Sequence, residues 1–190
     1  MASLFMVIPT VVLAILIVFA AIWINDATGM RLFYVTGLSS YTGSDPIMAF
    51  IDFLQHVFLP SVVLTIVSAV GYHLGQRTYL LDEMNADYVR TARAKGLTRK
   101  KAIRKHALRS SLIPTAVSVA FSIASVFTGA VMTEKVFAIH GMGEYFINCI
   151  GTNDINGAVA VAAFSGVCTL IGALLADLFA AALDPRIKMN

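Results

Sequence analysis

Four stretches of this chain are each long and apolar enough to cross a lipid bilayer as an α-helix. A spanning helix needs about 20 predominantly apolar residues, and the stretches that qualify are Ser3–Ile24, Val57–Gly75, Ser111–Met132 and Gly157–Leu183. Of the 190 residues, 58% are hydrophobic and only 13% are charged, and the mean hydropathy is +0.79. That is too little charge to cover the surface of a soluble domain. We therefore predict an all-α polytopic membrane helical bundle with about four spans.

The basic residues lie almost entirely on one side of these spans. Of the 14 Lys and Arg residues, ten lie between the second and third spans and two follow the fourth, which leaves only Arg31 and Lys135 on the other side. Loops rich in Lys and Arg face the cytoplasm. This asymmetry predicts that residues 77–109 and both termini are cytoplasmic. The first stretch lacks a basic leading region and a cleavage site, so we interpret it as a retained span.

The loop Asn25–His56, predicted to be outside, divides into two parts. It is rich in Gly, Ser and Thr up to Ser44, and Asp45–Pro46 is typical of a helix start. Apolar residues then recur at helical spacing opposite a polar face, namely Ile47, Phe50, Ile51 and Leu54 opposite Asp52, Gln55 and His56. The pattern predicts a short amphipathic helix that either lies on the outer membrane surface or packs against neighbouring spans.

The chain shows none of the sequence patterns of a catalytic or metal site. No two of its four histidines have metal-ligand spacing, and the two cysteines, Cys149 and Cys168, cannot form a disulfide framework. Phosphate-binding loops, zinc-protease motifs and nucleophile elbows are absent from the sequence. We predict no catalytic residue, metal or cofactor. Asp177, inside the fourth span near its cytoplasmic end, is interpreted as a structural residue rather than an ion or proton site.

Small residues form a stripe along the fourth span. Its members are Ala158, Ala162, Gly166, Gly172, Ala173 and Ala176. Small side chains let helix backbones approach closely within a membrane. The stripe therefore predicts close packing of this span against a helix of this chain or of another.

The stretch from Asp82 to Pro114 is too polar to span a membrane and too regular for a linker. Met84, Tyr88 and Ala92 share one face of a predicted helix that ends at Lys95. Gly96 suits the left-handed backbone conformation that follows a helix, and Thr98 is a suitable cap for the next one. In that second helix, Ile103, Ala107 and Ser110 lie opposite Lys101, Arg104, Lys105 and Leu108. Such a charged pair could lie on anionic lipid, but a tight glycine turn favours insertion into a partner's groove.

The two predicted helices and the glycine turn between them form an elbow. The residues of this elbow resemble a known family. Asp87 to Leu97 (DYVRTARAKGL) resembles the cytoplasmic "EAA" loop of ATP-binding-cassette (ABC) importer permeases, in the version found in dipeptide and oligopeptide permeases. His106–Arg109 (HALR) and Ile113–Pro114 continue the pattern after the glycine. Glu134–Phe137 (EKVF) with Gly141–Gly143 (GMG) resembles the family's loop between its last two helices, and Leu183–Ile187 (LDPRI) resembles its C-terminal tail. The match extends over nearly the whole chain from Pro9.

The resemblance implies a fold and a set of docking residues. Residues 1–190 would form an ABC transporter transmembrane permease domain of the type I importer fold, and residues 82–110 would dock a cytoplasmic ATPase. The docking residues implied are Asp87, Tyr88, Arg90, Thr91, Ala92, Arg93, Ala94, Lys95, Gly96 and Leu97. The chain would not itself be an enzyme, because ATP hydrolysis belongs to the ATPase subunits. Substrate-binding residues are not assigned by the resemblance.

The same resemblance implies partners and a location. The partners would be cytoplasmic ATPase subunits, a second homologous permease subunit and an extracytoplasmic substrate-binding protein, in a prokaryotic inner or plasma membrane and without nucleic acid. Peptides are the expected cargo, with nickel or another small solute as the alternative. A secondary transporter or channel is a further alternative, but it would need no basic cytoplasmic elbow.

The sequence departs from the family's pattern at three points. Arg90–Ala92 stands where the wider superfamily has Glu-Ala-Ala, and His140 stands where the peptide branch often has proline. Family members typically have six spans. We therefore expect the domain to be N-terminally incomplete, without the first two helices.

Overall fold

A computed structural model describes residues 8–183, and within that range the chain is α-helical without β-strands. Its helices are α1 (Thr10–Thr28), α2 (Pro46–Met84), α3 (Asp87–Ala94), α4 (Arg99–Ala102), α5 (Leu108–Thr128), α6 (Val131–Val136), α7 (Met142–Gly151) and α8 (Ile155–Leu183). A π-helical turn, Ile103–Ala107, joins α4 to α5 without a break. The all-α prediction is confirmed for the described residues.

Four helices are long and apolar enough to cross a membrane. They are α1, α2, the continuous helix Arg99–Thr128 that contains α4 and α5, and α8. Large apolar side chains remain exposed along them, as at Trp23 in α1 (71% exposed) and Leu170 in α8 (68%). Lipid accommodates such surfaces and water does not. The four predicted spans are confirmed as membrane-length helices, although the third ends at Thr128 and not at Met132. The first residues of Ser3–Ile24 and the C-terminal residues 184–190 lie outside the described part.

The helix predicted to begin at Asp45–Pro46 does begin there, since the Ile47 N–H donates to Asp45 Oδ1 at 2.9 Å. It is not a separate short helix, however, because α2 runs without interruption from Pro46 through the predicted second span. Pro60, expected near the start of that span, lies well inside the helix. Tertiary packing supports one long helix where the polarity of the sequence indicates two pieces.

The first turns of α2 bury two of the three residues of their predicted polar face. Asp52 and His56 are 8% and 3% exposed, whereas Ile47 and Phe50, on the apolar face, are 69% and 61% exposed. Asp52 and His56 therefore contact the chain, while Gln55 and the apolar side chains face outward. This arrangement suits lipid around the helix better than a helix lying on a water-facing surface.

Two units make up the described residues, and the first contains residues 8–70 and 128–162. Its core is formed by Ala14, Ala21, Leu59, Val63 and Phe137. Here α6 packs directly on α1, and the Phe137 carbonyl accepts the Gly37 N–H at 2.8 Å. Alanines on α1 leave the space into which Phe137, only 1% exposed, is packed.

The second unit contains residues 71–127 and 163–183. In it α2 and α5 are joined by polar side chains: Gln76 Nε2 donates to Ser111 Oγ at 2.9 Å, and Thr115 donates to the Gln76 carbonyl oxygen. One turn away, Tyr72 donates to the Ser118 carbonyl at 3.3 Å. Hydrogen bonds between helices specify the packing of membrane helices, because water is not present to compete for them.

The small-residue stripe of α8 finds a neighbour only in part. A Cβ added at Gly172 would lie 2.7 Å from the Ala124 Cβ, so α5 and α8 approach closely there, as predicted. No atom comes within 4 Å of a Cβ built at Gly166. In the first unit, Ala158 and Ala162 line an open apolar pocket of about 420 Å³ with Cys149. This pocket leaves Ala158 and Ala162 without the close helix-to-helix approach seen at Gly172.

Candidate docking elbow

The elbow is made of α3, α4 and the π-helical turn. The predicted first helix is interrupted, because α2 ends at Met84 and α3 begins only at Asp87. Between them the Asn85 and Ala86 N–H groups donate to Asp82 and Glu83 carbonyls in a turn. The predicted shared face is therefore wrong for Tyr88, which is 42% exposed, while Val89 and Ala92 are buried instead.

Gly96 makes the turn between the two arms of the elbow. The first arm is α3, and the second arm is α4 with the π-helical turn. Its φ is +89°, in the left-handed region that glycine adopts without a Cβ penalty. The Gly96 N–H donates to the Arg93 carbonyl at 3.0 Å, and the Leu97 N–H donates to the Ala92 carbonyl at 3.2 Å. These two bonds form a Schellman motif that closes α3. Because no atom lies within 4 Å of an added Cβ, the backbone conformation alone requires glycine here. This prediction is confirmed.

The second arm begins at Thr98, as predicted, but the Thr98 side chain makes no capping hydrogen bond. The regular helix expected after it is wrong at Ile103–Ala107, where the backbone forms a π-helical turn. A π-turn has i→i+5 hydrogen bonds and so brings residues five apart toward one face. Ala102 and Ala107, both fully buried, are such a pair, and they pack in one cluster with Val89 and Ala92.

The outward face of the second arm is basic, as its pattern predicts. Lys101, Arg104, Lys105 and Leu108 are exposed, Ala107 is buried, and Ile103 and Ser110 are half-buried. After the π-turn the same helix continues as α5 with no break. The second arm of the elbow and a membrane-length helix are therefore one continuous helix.

Most of the predicted docking residues are available on the surface. Exposed are Asp87, Tyr88, Arg90, Thr91, Arg93, Ala94, Lys95 and Gly96. Leu97 is half-buried, and Ala92 is buried inside the elbow, where it packs against the second arm. Ala92 and Leu97 thus shape the elbow from within, and the exposed residues form the face that a partner could contact.

The positive charge on the elbow is opposed by few acidic side chains. Eight cations of the two arms are exposed, namely Arg90, Arg93, Lys95, Arg99, Lys100, Lys101, Arg104 and Lys105. Arg90 lies 3.4 Å from Asp87, and both side chains are largely exposed, so that this pair contributes little to stability. Burial, and next the hydrogen bond that Tyr88 donates to Glu83, raise the pKa of Tyr88 above its usual 10. The Tyr88 phenol therefore remains a neutral donor.

A second polar cluster, which the sequence reasoning missed, lies in the first unit. The Asp52 carboxylate accepts hydrogen bonds from the Ser39 hydroxyl (2.7 Å), the Ser40 N–H (2.7 Å) and hydroxyl (3.0 Å) and the Tyr41 N–H (3.1 Å). One turn on, the His56 ring lies 4.4 Å from the Tyr34 ring. The sequence pattern places Asp52 only on the polar face of a helix. Since its partners lie 11 to 13 residues earlier in an irregular loop, no local pattern identifies them.

Metal-type side chains do not converge in the described range. Among residues 8–183 there is no cluster of three or more His, Cys, Asp or Glu side chains placed to hold an ion. Asp177 is exposed on α8, and His73 is exposed on α2. The interpretation of Asp177 as a structural residue stays a prediction.

Comparison with known proteins places nearly the whole chain in one family. Residues 1–189 match a family described as binding-protein-dependent transport system inner membrane component. The chain is 44% identical, over 96% of its length, to the oligopeptide transport system permease protein OppB of Mycobacterium tuberculosis, of which it covers 56%. It is 38% identical, over 71% of its length, to the dipeptide transport system permease protein DppB of Bacillus subtilis, of which it covers 44%.

A less similar relative is also named as a transport system permease protein. The oligopeptide transport system permease protein AmiC of Streptococcus pneumoniae is 34% identical over 77% of this chain, which covers 29% of that protein. The chain spans about half the length, or less, of these relatives. The family assignment rests on the match to the family over nearly all of the chain. This chain belongs to the family of binding-protein-dependent transport system inner membrane components.

Proposed function

We propose that this chain is a permease component of an ATP-driven peptide importer. The chain forms part of the translocation pathway, and its elbow couples it to ATP hydrolysis. Three of its relatives are named as oligopeptide or dipeptide permeases, and this supports peptide as the cargo. The family description names binding-protein-dependent transport. ATP would be hydrolysed by separate cytoplasmic subunits.

The observation that carries the coupling proposal is the elbow's construction. A Schellman turn at Gly96 closes α3, small buried residues join α3 to the second arm, and that arm continues into α5. A short arm with exposed Arg90, Thr91 and Ala94 suits insertion into a cleft. A helix lying flat on lipid would need neither the tight turn nor the rigid junction.

The docking test uses the chain assembled with its ATPase subunits, a second permease subunit and the binding protein. Ala94→Cys places a thiol on the exposed face of α3, and Val89→Cys, on the same helix but 2% exposed, is the matched control. A short thiol-reactive cross-linker should join Ala94→Cys to the ATPase subunit and leave Val89→Cys free. Cross-linking of neither variant, or of both equally, would contradict docking by this face.

The cargo test uses the same assembly in vesicles. Uptake of a labelled oligopeptide should require ATP and binding protein, and a non-hydrolysable ATP analogue should not support it. Unlabelled peptide should compete, and nickel should not. ATP-independent uptake would favour a secondary transporter, and competition by nickel alone would favour the small-solute alternative.

A further inference from the structure

Glu134 is a buried carboxylate at the junction of two helices. It is 8% exposed and belongs to α6, in the segment between α5 and α8 that is predicted to lie outside. One carboxylate oxygen, Oε1, accepts the Ala130 N–H at 2.8 Å, and the other, Oε2, accepts the Glu144 N–H at 2.7 Å. Ala130 is the N-cap of α6, and Glu144 is the third residue of α7.

Neither helix is capped by the side chain of its N-cap residue. The first N–H groups of a helix have no partner inside it and are normally satisfied by the side chain of the N-cap residue. The N-cap residues here are Ala130 and Gly141, and neither supplies a side-chain hydrogen bond. Glu134 takes over that role for both helices with a single carboxylate, whose negative charge also suits the positive ends of the helix dipoles.

Three glycines make the space for this carboxylate. A Cβ at Gly129 would lie 2.4 Å from Glu134 Oε1, one at Gly141 would lie 2.4 Å from Glu134 Cδ, and one at Gly143 would lie 3.0 Å from Glu134 Oε2. Gly129 also has φ +87°, which favours glycine independently. The two hydrogen bonds and the glycines are separate observations, and both indicate that this cavity is shaped for one carboxylate.

Within the first unit, the capped helices are also anchored to α1 and α2. Phe137, three residues after Glu134, is 1% exposed in the core with Ala14 and Leu59. Its carbonyl accepts the Gly37 N–H from the long loop. The position of α6 is thus set by α1 and α2, and Glu134 fastens α7 to it.

We propose that Glu134 is a positioning residue that holds α6 and α7 together as one rigid body by capping both helices. A glutamine could accept through only one of its two terminal atoms, and aspartate is too short by one methylene to reach the two donors together. The role follows from contacts in the first unit and does not depend on the elbow or on the identity of the cargo.

The geometry of Gly141 offers a rescue that tests the mechanism. Its backbone (φ −98°, ψ −179°) is the extended N-cap conformation that any residue adopts. In the Glu134→Ala variant the cavity is empty, and Gly141→Asp would place a carboxylate where it can accept the Glu144 N–H. In the native background the same Gly141→Asp change would collide with Glu134 and set two carboxylates side by side. The change should therefore be harmful alone and restorative in the double variant.

The measurement is residue-resolved amide hydrogen exchange on the full chain in lipid nanodiscs. In Glu134→Ala the Ala130 and Glu144 amides should both exchange about fivefold faster or more, given the usual strength of a helix cap. Adding Gly141→Asp should restore protection at Glu144 and leave Ala130 fast. The matched control is Glu144→Gln, whose side chain pairs with the exposed His140, and it should leave both amides unchanged.

Glu134→Gln provides a milder variant if Glu134→Ala does not accumulate in membranes, and it should speed the exchange of one of the two amides. Native exchange at both amides in these variants would overturn the proposal, as would a Gly141→Asp effect of the same sign in both backgrounds. Peptide uptake by the assembled importer, a readout that rests on the proposed function, should fall in Glu134→Ala and recover in the double variant. Unchanged uptake together with fast exchange would support capping by Glu134 and contradict the expectation that import requires this junction.

Discussion

The amide of Leu97 donates a hydrogen bond to the carbonyl oxygen of Ala92, at 3.2 Å, across the turn between the two arms of the elbow. Both residues also belong to the cluster that holds those arms together, with Ala92 buried and Leu97 packed against it. One pair of residues thus ends α3 and packs it against the second arm. The angle of the elbow is set by this pair and by the left-handed Gly96 between them.

Replacing Gly96 should disable coupling without preventing membrane insertion. A β-branched residue in the left-handed conformation costs roughly 1–2 kcal/mol, so Gly96→Val should open the turn and misalign the arms. We expect normal amounts of protein in the membrane but loss of ATP-driven uptake by the assembled importer. Gly71→Ala is the control, since Gly71 is exposed within α2 with no atom near an added Cβ. Wild-type uptake in Gly96→Val would show that the elbow does not couple.

The predicted orientation can be tested with single cysteines. After replacement of Cys149, an impermeant thiol reagent added outside intact cells should label Ser44→Cys and Asn153→Cys, because both side chains are exposed on the predicted outer side. It should not label Lys100→Cys until the membrane is permeabilised. This follows from the concentration of Lys and Arg in residues 77–109. Labelling of Lys100→Cys in intact cells would reverse the orientation.

Loss of the Asp52 carboxylate should free the long loop. An alanine has no acceptor, so Asp52→Ala should leave donors of Ser39, Ser40 and Tyr41 unsatisfied at a local cost of about 1–3 kcal/mol. Trypsin added from the outer side should then cleave after Arg31 several times faster than in the native protein. Asp45→Asn is the control, because asparagine is as good a helix cap as aspartate. Equal cleavage rates in the two variants would show that Asp52 does not hold the loop in place.

The hydrogen bonds between α2 and α5 should couple energetically. In a double-mutant cycle, Gln76→Leu and Ser111→Ala should each destabilise the protein, with an interaction energy of about 0.6 kcal/mol and no more than about 1.7 kcal/mol. The measurement is thermal unfolding in detergent. Thr78→Val pairs with Gln76→Leu as the control, since Thr78 bonds only to the Leu74 carbonyl of its own helix. Additivity of the Gln76 and Ser111 changes would show that the bond is not formed in the membrane protein.

Local features of this chain can be read from its sequence because their causes lie within a few residues. Apolar runs of about 20 residues identify four membrane-length helices, since a helix satisfies its own backbone in lipid. Asp45–Pro46 starts α2 through a bond between residues two apart, and Gly96 ends α3 because only glycine adopts its φ easily. The elbow and its basic face follow from such signals.

Tertiary structure decided what depends on residues far apart in the chain. Asp52 meets Ser39–Tyr41 only because folding brings an irregular loop onto α2, and Glu134 meets Glu144 only because folding brings α7 against α6. No periodicity records those pairs. The continuity of α2 past Pro60 and the π-turn at Ile103–Ala107 likewise contradict local expectation. Burying Val89, Ala92, Ala102 and Ala107 in one cluster favours the π-turn over a regular helix. In each case the free energy of packing exceeds a local preference, which is about 1 kcal/mol per residue or less and about 3 kcal/mol for a proline inside a helix. Such packing cannot be evaluated before the partners are in place.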